Sequence, residues 1–368
     1  MLHIFGNNQL WGFVVSADVL GLTARRRRTT LWVLGLVAGL IATGVIAVGT
    51  GAIGIGPVTV AKILGHRLIG FPSDVTWTPP QEAIVWQVRL PRVLLGMLVG
   101  SGLATCGVAL QAMVRNVLAD PYLLGINSGA SSGAAAAILF GVGAGFGQYA
   151  LSASAFLGAL AASLLVFLIA RGGGRVTSMR LLLSGVAVGY ALYALTSFLI
   201  FASGSAEGSR SVMFWLLGSL GLARWDALLA VAALVIGGTI AYLTVSGRRL
   251  DALAVGDETA HTLGVSPDRF RMRLLIVVSL GVGVLVSASG SIGFAGLVVP
   301  HLARRIVGAT HTRVVPVAAL LGAILLVWAD VVARVVLAPQ EIPIGIITAL
   351  LGAPFLLILI RRLHATGV

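Results

Sequence analysis

Charged residues inside the apolar stretches of this chain are few, and any chemistry would have to reside with them. Asp330 and Arg334 stand four residues apart in Ala329-Asp330-Val331-Val332-Ala333-Arg334. On a helix that spacing places carboxylate and guanidinium on one face, so an intrahelical ion pair accounts for both. Pumps driven by protons or sodium keep carboxylates at mid-membrane depth, where a charge survives only for function or pairing. Asp330 is the one good candidate here. A second basic pair, Arg89-Leu90-Pro91-Arg92, introduces another apolar run, and Pro91 suits the start of a helix. Arg92 would then sit in a first helical turn, against the helix dipole. Two readings stay open: an anionic partner outside the membrane, or two solvated anchors.

The remaining motifs mostly exclude. A phosphate-binding loop needs Gly-Lys-Ser/Thr, and the only lysine, Lys62, lies in Ala61-Lys62-Ile63, so ATP is not bound that way. His-Glu-x-x-His does not occur, and the six histidines are scattered. A hydrolase, a metal enzyme or an intramembrane enzyme has no paired groups to work with. His301, after Pro300, reads as a packing or interfacial residue, and the single Cys106 as a small packing residue. No catalytic residue, metal site or bound cofactor is assigned to this chain.

Stretch 247–272 is the most informative polar segment. Leu250, Leu253 and Ala254 have helical spacing, and Gly256 interrupts. Asp257 is placed to cap a second short helix running through Ala260 and Leu263, with Gly264 ending it. Ser266-Pro267 then offers an N-cap and first-turn proline for the next helix. Two short helices across one membrane face would form a ledge able to receive force from a separate motor; an ordinary interfacial loop is the plainer reading.

These residues must be positioned by helices in lipid. The 368 residues are 58% hydrophobic and 10% charged, with a mean hydropathy of +1.03. The net charge of +13 is carried by short arginine clusters between apolar runs and not by a continuous basic face, so nucleic acid is not a partner. The fold class expected is all-α, polytopic, with about ten spans near 31–55, 93–113, 124–144, 148–170, 181–202, 226–245, 273–289, 292–307, 314–336 and 343–360. Ser289-Gly290-Ser291 reads as a tight turn or helix break. Residues 1–30 form an N-terminal cytoplasmic segment, 1–24 of it suited to a short surface helix without assigned function, and 31–363 the ten-helix domain. The first apolar run follows Arg25–Arg28 and is too long for a signal peptide.

Alternating the spans from a cytoplasmic N-terminus leaves only Lys62, Arg67, Arg89, Arg92, Arg210, Arg224 and Arg334 of the 25 basic residues outside. That asymmetry follows the positive-inside rule and puts both termini in the cytoplasm. The loop at 56–91, with Trp77 and Trp86, is expected to pack on the outer surface. Gly96/Gly100 and Gly185/Gly189 are candidate close-packing pairs.

Several segments together resemble the FecCD family of ABC-transporter permeases, which includes cobalamin, haem and ferric-siderophore importers. They are Arg89–Arg92, Gln111–Gly129 (QAMVRNVLADPYLLGINSG), Arg180–Gly185 (RLLLSG), Trp215–Ser219, Leu253–Gly264 (LAVGDETAHTLG), Gly290–His301 (GSIGFAGLVVPH), Ala329–Arg334 and Glu341–Pro354 (EIPIGIITALLGAP). The resemblance spans about 57–362 in family order. It implies a multi-pass protein of the bacterial inner membrane, with ten helices per subunit and a second permease subunit, identical or paralogous, around a central path. It also implies two cytoplasmic ATPase subunits, which hold the ATP and Mg, and an extracytoplasmic substrate-binding protein.

By the same resemblance, Arg89, Arg92 and Arg334 receive acidic residues of the binding protein. Residues 251–265 match the coupling helices, so Asp251, Leu253, Gly256, Asp257, Ala260, Leu263 and Gly264 are assigned to ATPase coupling. The cytoplasmic gate corresponds to Thr177, Ser178 and Met179 within Val176–Arg180, where Met179 departs from a Ser/Thr run. Val117 replaces a proline common in the family's Arg-Asn-Pro-Leu-Ala-Asp-Pro motif, which should loosen a turn. The cargo implied is a ferric siderophore or related iron complex, with haem or cobalamin as the alternatives. An ATP-independent secondary transporter is the competing class.

Overall fold

Helix accounts for every regular element in the computed structural model, which describes residues 22–51, 53–172, 174 and 176–365; no strand occurs among them. The elements are α1 (Leu22–Gly49), α2 (Pro57–Ile69), α3 (Pro79–Ala83), α4 (Leu90–Val114), α5 (Ile126–Phe140), α6 (Ala150–Arg171), α7 (Ser178–Ser203) and α8 (Ala206–Leu216). They continue as α9 (Ala227–Val245), α10 (Gly247–Val255), α11 (Asp257–Thr262), α12 (Pro267–Ser289), α13 (Ala295–Val307), α14 (His311–Val335) and α15 (Ile344–Ala365). The surface helix expected within 1–24 falls almost wholly outside the described residues.

Each expected span coincides with a helix, but the lengths divide them. Seven helical stretches among the described residues are long and apolar enough to cross a membrane: Arg26–Gly49, Pro79–Val114, Ala144–Arg171, Ser178–Ser203, Ala227–Val245, Pro267–Ser289 and His311–Val335. The other three expected spans fall on α5, with 15 residues, on α13, with 13, and on α15, whose apolar stretch is Ile344–Leu359. At 1.5 Å per residue α5 and α13 reach roughly 20 Å, short of a hydrocarbon layer of about 30 Å. Glycines set those limits: Gly125 and Gly141, both left-handed, bracket α5, while Gly290 and Gly308 bracket the loop and helix that include α13.

Burial separates a central core from a periphery. The span windows of α4, α12 and α14 are 83%, 67% and 67% buried, whereas those of α1 and α7 are each 17% buried. Without a hydrophobic drive between helices in lipid, the core is built by backbone approach. A Cβ on Gly100 would overlap the Gly322 carbonyl, and one on Gly107 the Gly296 carbonyl, so α4 lies directly on α14 and α13. Of the two pairs expected from sequence, Gly100 and Gly185 make such contacts. Gly96 and Gly189 meet only side chains at 3.2 Å or more.

Pro91 does not begin its helix. The chain is already helical from Pro79, and a π-helical turn, Ile84–Arg89, carries it into α4. Proline lacks the N–H that an unbroken α-helix needs, and a wider turn just before it accommodates the loss. Arg92 is therefore interior to a 36-residue helical stretch, and the helix-dipole argument for it does not apply. Loop 56–91 folds back on α1 through α2, with Trp77 buried and its indole N–H donating to Glu82 Oε2 at 3.0 Å.

Candidate functional sites at the two ends of the bundle

One end of the bundle gathers four arginine and carboxylate partners from two helices and the loop before α15. Arg92 of α4 lies 2.9 Å from Asp330 of α14 and 2.9 Å from Glu341, just before α15. Arg334 completes the expected intrahelical pair, with Nε 2.9 Å from Asp330 Oδ2, an ion contact whose angle falls short of a hydrogen bond. Asp330 is 2% exposed, so two guanidinium groups are what make its charge tolerable there.

Arg89 and Arg334 both reach the C-terminal end of α1. Arg89 donates to the carbonyls of Val48 (3.0 Å), Gly49 (3.1 Å) and Ile53 (2.6 Å). Arg334 donates to those of Ala47 (3.1 Å) and Thr50 (2.6 Å). A helix C-terminus presents unpaired carbonyls and partial negative charge, and two cations there satisfy both. Gly51 permits this, since a Cβ there would meet the Arg89 guanidinium at 2.5 Å. Arg89 and Arg334 are thus buried, at 8% and 6% exposure, and are not presented as free surface cations. Arg92 differs, because it also lines a cavity.

That cavity, about 930 Å³, is bordered by Arg92, Glu207, Arg210, Trp215, Ser289 and Glu341. Its wall is made where helices stop. Gly345 N–H donates to Leu217 O (3.0 Å), Ser219 N–H donates to Ser289 O (2.8 Å), and a Cβ on Gly290 would meet Trp215 O. Three segments quoted for the resemblance, Trp215–Ser219, Gly290–His301 and Glu341–Pro354, therefore converge on one wall. Irregular backbone in a membrane protein is tolerated where it lines a cavity or is buried in protein.

At the opposite end, α10 and α11 form the expected two-helix ledge. Gly256, at φ 156°, separates them, and Gly264, at φ 75°, follows the second. Leu250, Leu253 and Ala260 face the bundle and are fully buried, while Val255 and Leu263 are 71% and 65% exposed. Ser266 and Pro267 open α12 as the sequence indicates. Asp251 accepts from the His311 backbone N–H at 2.9 Å and lies 2.6 Å from His311 Nδ1, fixing α10 to the start of α14.

Asp257 corrects the sequence reading. It makes no capping bond; Gly256 holds the cap position, and the Asp257 carboxylate turns instead to Arg271. Arg271 sits on α12, 1% exposed. Its Nη1 and Nη2 grip Asp257 at 3.0 and 2.7 Å. The same guanidinium donates to Met113 O (3.4 Å), Val176 O (3.3 Å) and Ser178 Oγ (3.3 Å). These bonds hold the Asp257 carboxyl below its usual range.

The structure thereby brings together residues that the sequence assigned to separate devices. Ser178 joins Arg271 and also donates to Met113 O at 3.2 Å. Thr177 caps α7 by accepting the Arg180 N–H, and Met179 points away, 64% exposed. Arg271 itself escaped the sequence reading, although a signal existed. It stands three, four and seven residues before the buried Leu274, Leu275 and Val278, on the apolar face of its helix.

Further side-chain bonds tie α4 and the turn after it to the segment that carries α13. Tyr122, in the turn after α4, donates its hydroxyl to Ile292 O (2.8 Å) and accepts the Ile292 N–H (2.9 Å). Arg304 of α13 donates to Gln111 Oε1 at 2.6 Å. An all-helical membrane protein with a helix-break cavity at one end and a helical ledge at the other has the architecture of a permease. The model of the FecCD transport family matches residues 38–362, and the chain belongs to that family of ABC importer permeases.

Named relatives agree. The chain is 44% identical to the cobalamin import system permease protein of Halobacterium salinarum, over 80% of this chain and 78% of that one. It is 41% identical to the hemin transport system permease protein of Yersinia pestis, over 78% and 86%. It is 38% identical to the Fe(3+)-citrate import system permease protein of Bacillus subtilis, over 77% and 82%. Among solved structures, an inward-facing ABC transporter of metal-chelate type is similar at 34% identity, with a TM-score of 0.77 over 90% of this chain and 98% of that one.

Proposed function

We propose that this chain is the membrane half of an importer for a bulky metal chelate, with a ferric siderophore or related iron complex as the first cargo to test. Transport would be driven by two cytoplasmic ATPase subunits and supplied by an extracytoplasmic binding protein. On this reading α10 and α11 face the cytoplasm of a bacterial inner membrane and the 930 Å³ cavity faces outward. The ten apolar helices span or re-enter the membrane, with both termini inside. α7, little buried within one chain, would be covered by a second permease subunit, identical or paralogous, across the central path.

The observation that carries the reading is the ledge. Val255, at the end of α10, and Leu263, just after α11, are large apolar side chains left exposed, whereas Leu250, Leu253 and Ala260 of the same ledge are buried. Exposed apolar groups on an otherwise polar face mark a docking site, and the lone lysine outside any phosphate loop requires the motor to be another protein. Val255→Glu with Leu263→Glu should lower capture of the ATPase subunit at least tenfold while leaving permease abundance unchanged. Undiminished capture would remove the coupling assignment.

Arg92 is our proposed contact for the binding protein at the cavity mouth, with Arg89 and Arg334 holding the adjoining helix ends. Cobalamin is a second cargo, favoured by the 44% identity to a cobalamin permease. Uptake assays with ferric siderophore, haem and cobalamin on the reconstituted importer separate the three.

A further inference from the structure

We infer that Arg271 is the positioning residue through which movement of the coupling ledge reaches the gate segment before α7. The inference rests on the reading of α10 and α11 as the ATPase contact, and it concerns a residue that neither the resemblance nor the motif pattern singled out.

A guanidinium has five N–H donors in a fixed plane. All five of Arg271 have an acceptor. Nε meets Met113 O at the end of α4, and Nη1 meets Asp257 Oδ2 and Val176 O. Nη2 meets Asp257 Oδ1 and Ser178 Oγ. Three parts of the fold therefore share one rigid group: the ledge through Asp257, the segment before α7 through Val176 and Ser178, and the core through Met113. Arg271 is 1% exposed, so releasing any one of these bonds would leave a buried donor without water to replace it. A shift of α11 must carry the guanidinium with it, and the gate acceptors follow. The bidentate contact to Asp257, at 2.7 and 3.0 Å, is shorter than the 3.3 Å contacts to Val176 and Ser178.

Other charged groups close to the link leave its partner choice unchanged. Arg115 and His261 lie near Asp257 and also favour its ionised form, while Arg271 is the cation that bonds it.

Lysine has three donors on one nitrogen and cannot hold all five acceptors. The test uses the complete importer in proteoliposomes, measuring chelate uptake and ATP hydrolysis together for Arg271→Lys and for Asp257→Asn. Both variants should retain permease abundance, and Arg271→Lys, which lies off the ledge and is 1% exposed, should also retain ATPase capture. Uptake per ATP hydrolysed should fall about tenfold for Arg271→Lys and several-fold for Asp257→Asn, with hydrolysis within twofold of the parent. Unchanged uptake per ATP in both variants would overturn the inference. So would loss of abundance in both, which would make the contact merely structural. Failure of the coupling reading itself shows elsewhere, as undiminished ATPase capture by Val255→Glu with Leu263→Glu.

Discussion

Buried arginines hold both ends of this bundle, yet they are wired differently. At the Arg92 end, Arg89 and Arg334 donate to backbone carbonyls at and just beyond the end of α1, and Asp330, between Arg92 and Arg334, is sealed at 2% exposure. At the other end, Arg271 binds a carboxylate on a short ledge helix that is 37% exposed, together with a loop and the end of a core helix. The first arrangement locks helices that belong to one scaffold. The second bridges parts of different character: a short ledge helix, the segment before α7 and the end of α4. Burial of an arginine therefore says little about its role until its acceptors are assigned to parts of the fold.

The contrast is broken most severely at Asp330. Asp330→Ala would leave Arg92 and Arg334 facing each other without the shared carboxylate, at a cost of about 3–5 kcal/mol. Near-complete loss of folded permease from detergent extracts is the expected outcome, measured by size-exclusion chromatography. A smaller effect is expected of Arg89→Lys, which keeps the charge but cannot reach three carbonyls. It should lower the detergent melting temperature by several degrees with transport per folded molecule intact. The Arg271→Lys variant should show the reverse pattern, normal abundance with poor uptake per ATP.

At the core, Gly322→Val should destabilise by about 1–3 kcal/mol through overlap with the Gly100 carbonyl, read as a lower thermal midpoint. The smallest effect is with pH. Since Arg271 lowers the pKa of Asp257, the stability this pair contributes is fully present above the ordinary carboxylate value and is lost only as pH falls through the lowered one. Uptake per ATP should be flat from about pH 8 to pH 5. A step in that window, absent in Asp257→Asn, would contradict the pair's assignment.

Local signals carried much of this structure. Gly256, Gly264 and Ser266-Pro267 mark the ledge and the start of α12 because each does its work through its own backbone. The apolar runs mark every long helix for the same reason. What failed was what depended on distant partners or on neighbours of the backbone. Asp257 looked like a cap because Arg271 is 14 residues away, and Arg271 looked like one more interfacial cation because Met113 and Val176 are 158 and 95 residues away. Pro91 looked like a helix start because the π-helical turn before it has no sequence marker. Arg89 read as a solvated anchor because nothing in its own segment shows the end of α1 beneath it, and Arg334, expected to pair with Asp330 and paired with it, reaches that same end.

The central claim is that this chain is a passive path whose energy comes from a partner. Chelate uptake into proteoliposomes tests it directly, comparing the chain alone with the chain plus ATPase and binding protein, with and without an uncoupler. Uptake is expected only in the complete system, dependent on ATP and indifferent to collapse of the proton and sodium gradients. Uptake by the chain alone that stops when those gradients collapse would contradict it.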